Sequence, residues 1–217
     1  MTVLSVFACK AAVLLESNFE TGDDGWTVGD FFGGAHGFLP THVTFGGVSG
    51  GYIETDDFYG FNAFRAPASW LGDQSGLYGA VLHLHQKVLS SDGVTFPMVA
   101  LVSGITKLQY RTPPPGSDWT EFQISLKAED GWEIGNGSGN PGAPATEEDL
   151  REVLSNLSWF AINADWQTGD DRVSMDRVYV STVPEGDSTV PEPASIALSA
   201  SAFAAFALLR LRKRAKA

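Results

Sequence analysis

The chain is short of cysteine. Cys9 stands alone among 217 residues, so no internal disulfide forms, and stability must come from packing or a bound ion. Positive charge is scarce as well, with 14 Lys and Arg against 26 Asp and Glu. Five of those 14 lie between positions 210 and 216, which leaves nine basic groups for everything upstream. So acidic a body disfavours nucleic acid and anionic headgroups, and is compatible with neutral glycans or divalent cations. Catalytic signatures are missing too: there is no Gly-x-Ser-x-Gly, His-Glu-x-x-His or Cys–His arrangement. The stretch from Asn136 to Ala145 is rich in Gly but lacks a Lys-Ser/Thr end, so it is a connector and no phosphate loop. Acid pairs such as Asp56-Asp57 and Asp170-Asp171 are sequence neighbours. Neighbours on a strand point to opposite faces, so neither pair makes the acid/base couple of a glycoside hydrolase. No enzyme is expected.

What is present is glycine and aromatic surface: 24 Gly and 12% aromatic residues. That composition suits short strands joined by many turns. Strands are predicted at Val13 to Phe19, Trp26 to Val28, His42 to Phe45, Gly51 to Glu54, Tyr78 to Val88 and Met98 to Ser103. Others follow at Lys107 to Tyr110, Trp119 to Lys127, Phe160 to Asp165 and Val173 to Val180. In Tyr78 to Val88, Ala80, Leu82 and Leu84 share one face while Val81, His83 and His85 share the other. Two histidines on one face can reach one metal, but no third ligand is evident, and a solvated face is the plainer reading. Met98 to Ser103 is apolar on both faces, as a central strand is. One helix is predicted. Thr146 caps it with Asp149 three residues on, and Leu150, Val153, Leu154 and Leu157 form one apolar stripe.

The C-terminal end has a different character. Val190, Pro191, Glu192 and Pro193 form a short stiff motif, and Ser195 to Leu209 carries no charge. Arg210, Arg212, Lys213, Arg214 and Lys216 close the chain. A helix over the apolar run rises roughly 22 Å and comes close to spanning once the flanking arginines snorkel. The basic end is expected to stay cytoplasmic, which places the preceding body outside. Motif, apolar run and basic cluster together resemble the PEP-CTERM sorting signal of Gram-negative bacteria. That resemblance implies processing by an exosortase-type membrane enzyme near Pro191-Glu192-Pro193, in a producer of extracellular polysaccharide. Export also requires a signal, and residues 1–12 are expected to be a clipped signal peptide whose true start lies upstream.

A second set of blocks spans Ser17 to Val180. It comprises Ser17-Asn18-Phe19-Glu20 with Gly25-Trp26, then Gly51-Tyr52-Ile53, and Ala66-Pro67-Ala68 through Trp70-Leu71-Gly72-Asp73. Leu101-Val102-Ser103-Gly104, Trp119 with Phe122, Ala145-Thr146 through Leu154, Ala164-Asp165, and Asp176 with Val178 follow in order. The series resembles the laminin IV type A domain, also called laminin B. The resemblance implies an extracellular β-sandwich without catalytic activity. The position of the family's usual Arg before Ala164 is held by Asn163, so no role of that Arg is carried over. The fold expected is all-β: an antiparallel, jelly-roll β-sandwich over 13–182 with one short helix. A linker at 183–193 leads to a transmembrane helix with its basic tail at 194–217.

Two ligand chemistries fit this frame. Structural calcium takes six to eight oxygens, and Glu16 or Glu20 meets Asp176 if the first and last strands pair. The alternation of Val173, Met175, Val178 and Val180 breaks at Asp176, which predicts a bulge there. Glycan binding needs aromatic faces beside polar groups, and Phe58, Tyr59, Trp70 and Tyr78 lie near acids in sequence. The function expected is adhesive or matrix-related at the surface of a Gram-negative cell. The partners expected are the membrane, the processing enzyme, and exopolysaccharide or another surface protein. A carbohydrate-binding module is the alternative, and a hydrolase a distant third.

Overall fold

The computed structural model describes residues 11–34, 36–58, 60–93 and 96–182. The expected signal peptide up to residue 10, Tyr59, the sorting motif, the apolar run and the basic cluster lie outside the described residues. The strands are β1 (Val13–Ser17), β2 (Thr27–Asp30), β3 (His36–Phe38), β4 (Thr41–Val43), β5 (Tyr52–Asp56), β6 (Asn62–Arg65) and β7 (Val81–Val88). After them come β8 (Pro97–Ser103), β9 (Thr106–Arg111), β10 (Thr120–Ser125), β11 (Glu133–Ile134), helix α1 (Glu147–Ser155), β12 (Trp159–Asn163) and β13 (Arg172–Ser181). No described helix is long and apolar enough to cross a membrane.

These strands build two antiparallel sheets. One runs β10-β7-β13-β5-β4, with β1 paired to β13, and the other runs β11-β9-β8-β12-β6-β2-β3. The first and last strands therefore do pair, with Glu16 opposite Tyr179 and Ser17 opposite Val178. Period-2 alternation sets the inner faces. Leu82, Leu84, Ile53, Met175 and Val180 from the first sheet pack into one core with Val28, Phe64, Leu101, Phe160 and Ile162 from the second. The outer face of the second sheet is buried as well. Small residues there, Ala63, Ala100 and Ala161, lie in one cluster with Phe31, Phe32 and Trp159. That is why β8 and β12 read as apolar on both faces. From Phe31 to Gly51 the sequence predicts a single short strand, His42 to Phe45. The structure forms two strands there, β3 and β4, and Phe31 and Phe32 cap a sheet.

The helix forms where its pattern says. Thr146 accepts the Asp149 N–H through Oγ1 at 3.2 Å, and the Asp149 carboxylate accepts the Thr146 N–H at 2.8 Å. This reciprocal cap satisfies donors that the first turn leaves open. Leu150, Val153 and Leu154 are buried, and the helix lies against β8 and β9.

Candidate functional site

The outward face of the first sheet carries the chemistry. Register places residues from neighbouring strands side by side: Ser174 lies opposite both Lys87 and Glu54, and Arg172 opposite Asp56. Trp119 precedes β10 at the sheet's edge. Its ring meets Tyr52 edge-on at 5.3 Å between centroids. The Lys87 ammonium lies over both rings, 4.7 Å from Tyr52 and 4.4 Å from Trp119. Arg172 bonds Asp56 Oδ1 at 2.7 Å and reaches Glu54 at 3.6 Å. Tyr52, Glu54, Lys87, Arg172 and Ser174 line an open groove of about 260 Å³. That volume falls just short of the roughly 300 Å³ at which enclosed small-molecule pockets begin. An open trough of this size suits a short stretch of an extended polar chain. Burial and the Glu54 carboxylate hold the Tyr52 phenol above its ordinary pKa, so it stays a neutral donor.

Beside this groove, just before Tyr52, runs the loop between β4 and β5. It folds onto Asp176, which is fully buried. The predicted bulge is present: the β13 register slips between Asp176 and Tyr179, and Arg177 takes a φ of 48°. Asp176 Oδ2 accepts the Val48 N–H at 2.6 Å and Oδ1 accepts the Arg177 N–H at 2.7 Å. Burial still pushes this carboxyl up, against the pull of those donors. Glu20 binds the same loop, accepting from Ser49 Oγ at 3.2 Å and the Gly51 N–H at 3.4 Å. Trp119 Nε1 donates to Gly46 O at 3.0 Å, which ties the loop to the groove. Positions 47 and 50 of the loop require glycine. A Cβ on Gly50 would collide with the Glu20 carboxylate. The point a Cβ on Gly47 would occupy lies 2.6 Å from Asp176 Oδ2, 2.6 Å from Gly51 O and 3.0 Å from Gly50 O. These oxygens crowd the Gly47 Cα so closely that no side chain can be placed there. Glu16 stays out of this arrangement, exposed on β1.

The aromatic residues singled out for glycan contact fare differently. Trp70 is corrected: it is 3% exposed, stacked on Phe160 at 5.4 Å, and belongs to the core. A ring enclosed on both faces has no surface to offer a sugar. Tyr78 carries the Arg151 guanidinium 3.7 Å above its ring. Phe58 is exposed and stacks on Phe38 at 4.9 Å, away from the groove-lining residues. Tyr52, which lines the groove, and Trp119, which packs against Tyr52 and Lys87 at its side, were missed as ligand residues. Their one signal was clean alternation in the strands they adjoin.

His83 and His85 do share the outward face of β7. His83 stacks on Tyr179 at 4.4 Å, bonds Ser181 Oγ at 3.1 Å, and lies 3.9 Å from Glu121. No three His, Cys, Asp or Glu side chains among the described residues form a ready metal centre. Burial lowers both imidazole pKa values, opposed by Glu121, with Arg177 and Asp176 also acting on His85. Unfolding therefore takes up protons below the ordinary value of about 6.5. Stability from this pair is present above that pH and is lost as pH falls. A double substitution, His83→Gln with His85→Gln, is expected to remove that slope. Melting curves from pH 7.5 to 5.5 should show the parent losing roughly 1–3 °C more than the variant; equal losses would contradict the assignment.

The two sheets, their order and the covered outer face define an antiparallel β-sandwich. The chain belongs to the Laminin B (Domain IV) family, whose sequence pattern matches residues 63–195. Among solved structures it is similar to the L4b domain of human laminin alpha-2, with 12% identity and a TM-score of 0.63. That match covers 78% of this chain and 97% of the laminin domain. A family 11 carbohydrate-binding module of the cellulosomal cellulase Lic26A-Cel5E of Clostridium thermocellum is also similar, with 12% identity and a TM-score of 0.49. It covers 80% of this chain and 95% of the module. At such identities the likeness shows the fold alone. A search of curated sequences found no match.

Proposed function

We propose that the protein is a non-catalytic adhesive module of the cell surface that holds neutral polysaccharide in the Tyr52–Trp119 groove. The single observation that carries this reading is the groove itself. Aromatic rings stand beside an Arg172–Glu54–Asp56 network that presents both donors and acceptors to hydroxyl groups. Polar groups already held by one another keep their geometry, so a sugar chain meets a prearranged surface. The body's excess of acidic groups favours neutral over acidic chains. Exopolysaccharide of the producing cell is the ligand that the sorting signal suggests. In this reading the C-terminal segment, from Val190-Pro191-Glu192-Pro193 to Lys216, delivers the chain to an exosortase-type enzyme in the membrane of a Gram-negative cell. Mass spectrometry of the native surface protein tests that part: a mature end near Pro193 supports it, and an intact Lys216 end in all surface copies refutes it.

Calcium belongs to the same proposal. Glu20 and Asp176, with main-chain oxygens of the Gly47–Gly51 segment, would hold the ion. When bound it would neutralise two carboxylates and fix the loop that holds Trp119 beside the groove. For the groove, a glycan array probed with the full chain is the first experiment. We expect binding to neutral β-linked or α-linked chains, and a loss of at least tenfold in affinity for Trp119→Ala, since stacking on one ring is worth roughly 1–2 kcal/mol. An array with no neutral glycan bound, or Trp119→Ala binding as tightly as the parent, would refute the reading.

A further inference from the structure

At the opposite end of the first sheet, three loops bring carboxylates together. Asp57 follows β5, Asp92 follows β7, and Asp165 and Asp171 bound the turn between β12 and β13. Asp165 is 6% exposed and Asp171 8%. The loops are laced to one another: Asp92 Oδ2 accepts from Thr168 N at 2.7 Å and Thr168 Oγ1 at 2.9 Å, and Ser91 Oγ donates to Trp166 O at 3.0 Å. Burial, followed by Asp57, Asp171 and Asp92, pushes the Asp165 carboxyl up to about 7. Burial raises Asp171 to about 6, with Asp57 adding to it. The cation next in sequence, Arg172, is turned away to Glu54 and Asp56.

Two acceptor oxygens here have no donor. Asp171 Oδ2 accepts the Trp166 N–H at 2.8 Å, but Asp171 Oδ1 is buried without a partner. Asn62, fully buried, is an independent case. Its Nδ2 donates to Asp56 O at 3.0 Å and Ala164 O at 3.4 Å, the residues just before Asp57 and Asp165. Both of those partners are acceptors, so the amide cannot be turned round, and Asn62 Oδ1 is left with no donor between the two carboxylate-bearing loops. A buried acceptor without a donor is costly, so each such atom calls for a partner. A hydrolytic role does not account for them, because both carboxyls are closed off from any chain lying on the surface.

We propose that this end of the sandwich binds a calcium ion through Asp165, Asp171 and the Asn62 amide oxygen. The ion gives the two orphaned oxygens a partner and offsets the charge of two buried carboxylates. Because no three His, Cys, Asp or Glu side chains among the described residues stand ready around one point, the set is completed by main-chain or water oxygens, as calcium's six to eight positions allow. The hard, oxygen-only donors and the flexible loops favour calcium over magnesium, which demands a tight octahedron.

Calorimetric titration of calcium alone into the full chain tests this independently of the Glu20–Asp176 proposal. The double variant Asp165→Asn with Asp171→Asn should lose one calcium equivalent, whether the parent binds two or one. Asp176→Asn should leave that equivalent in place. In chelator the double variant should melt above the parent, and calcium should no longer raise its melting point through this site. A second readout needs no altered carboxylate. Terbium should be sensitised through buried Trp166, whose main-chain N–H sits on Asp171, and excess calcium should quench the signal. Trp166→Phe should cut that emission several-fold. A parent that binds no calcium, a double variant that keeps every equivalent, or terbium emission indifferent to Trp166→Phe would overturn the proposal.

Discussion

Replacing Trp70 with alanine is expected to cost about 3–5 kcal/mol of stability, the range seen for buried Trp truncations. Trp70 stacks on Phe160 and meets Trp26 edge-on at 5.5 Å, while Trp26 itself meets Phe19 at 6.2 Å. Around Trp70, Leu77, Leu154 and Leu157 already border a small apolar void of about 10 Å³, scarcely room for one water. Loss of the indole enlarges a gap that the two sheets and the helix cannot close by a local shift. For a domain of this size the melting point should fall roughly 10 °C. Glycan affinity of the molecules that remain folded should be unchanged. Trp119→Ala is the mirror image, with binding lost and melting lowered by only a few degrees. A Trp70→Ala protein that melts like the parent would contradict the packing described here.

The contrast between these two tryptophans shows what sequence can and cannot place. Both stand close to acidic residues in the chain, and closeness in the chain was the only guide to a sugar site. Trp70 lies in a short 3-10 turn that tips its ring inward, a direction that no period-2 or 3.6 pattern records. Regular elements were legible because alternation survives burial. Leu82 and Leu84 face in, His83 and His85 face out, and the capped helix begins at Glu147. The bulge at Asp176 was legible for the same reason, as a break in that alternation. The groove was not, since Tyr52, Lys87, Trp119 and Arg172 come from four separate segments and meet only through strand register. The carboxylate cluster was hidden in the same way. Asp56-Asp57 and Asp170-Asp171 were set aside because neighbours in a strand diverge. The partners that matter are Asp57 on one loop and Asp165 and Asp171 at the two ends of another.

Asp176→Ala should then disable the groove without touching any residue that lines it. The carboxylate holds the N–H groups of Val48, Ser49 and Arg177. Left in place after truncation, those donors would be buried and unpaired at about 1–3 kcal/mol each. Lifting the loop into solvent costs less. The loop hangs from β4, an edge strand, and its other ties, to Glu20 and to Trp119 Nε1, are mostly exposed hydrogen bonds that water can replace. Once lifted, Gly46 no longer accepts from Trp119 Nε1, and the indole is free to leave Tyr52 and Lys87. We therefore expect a melting point lower by roughly 5 °C and glycan affinity lower by at least tenfold, as in Trp119→Ala. Combining the two substitutions should add little further loss of binding, because each removes the same ring. If calcium occupies the Glu20–Asp176 cradle, chelator should weaken glycan binding by the parent and leave Asp176→Ala unchanged. Full additivity of the two losses would show that the loop and the indole act separately, and would detach Asp176 from the groove.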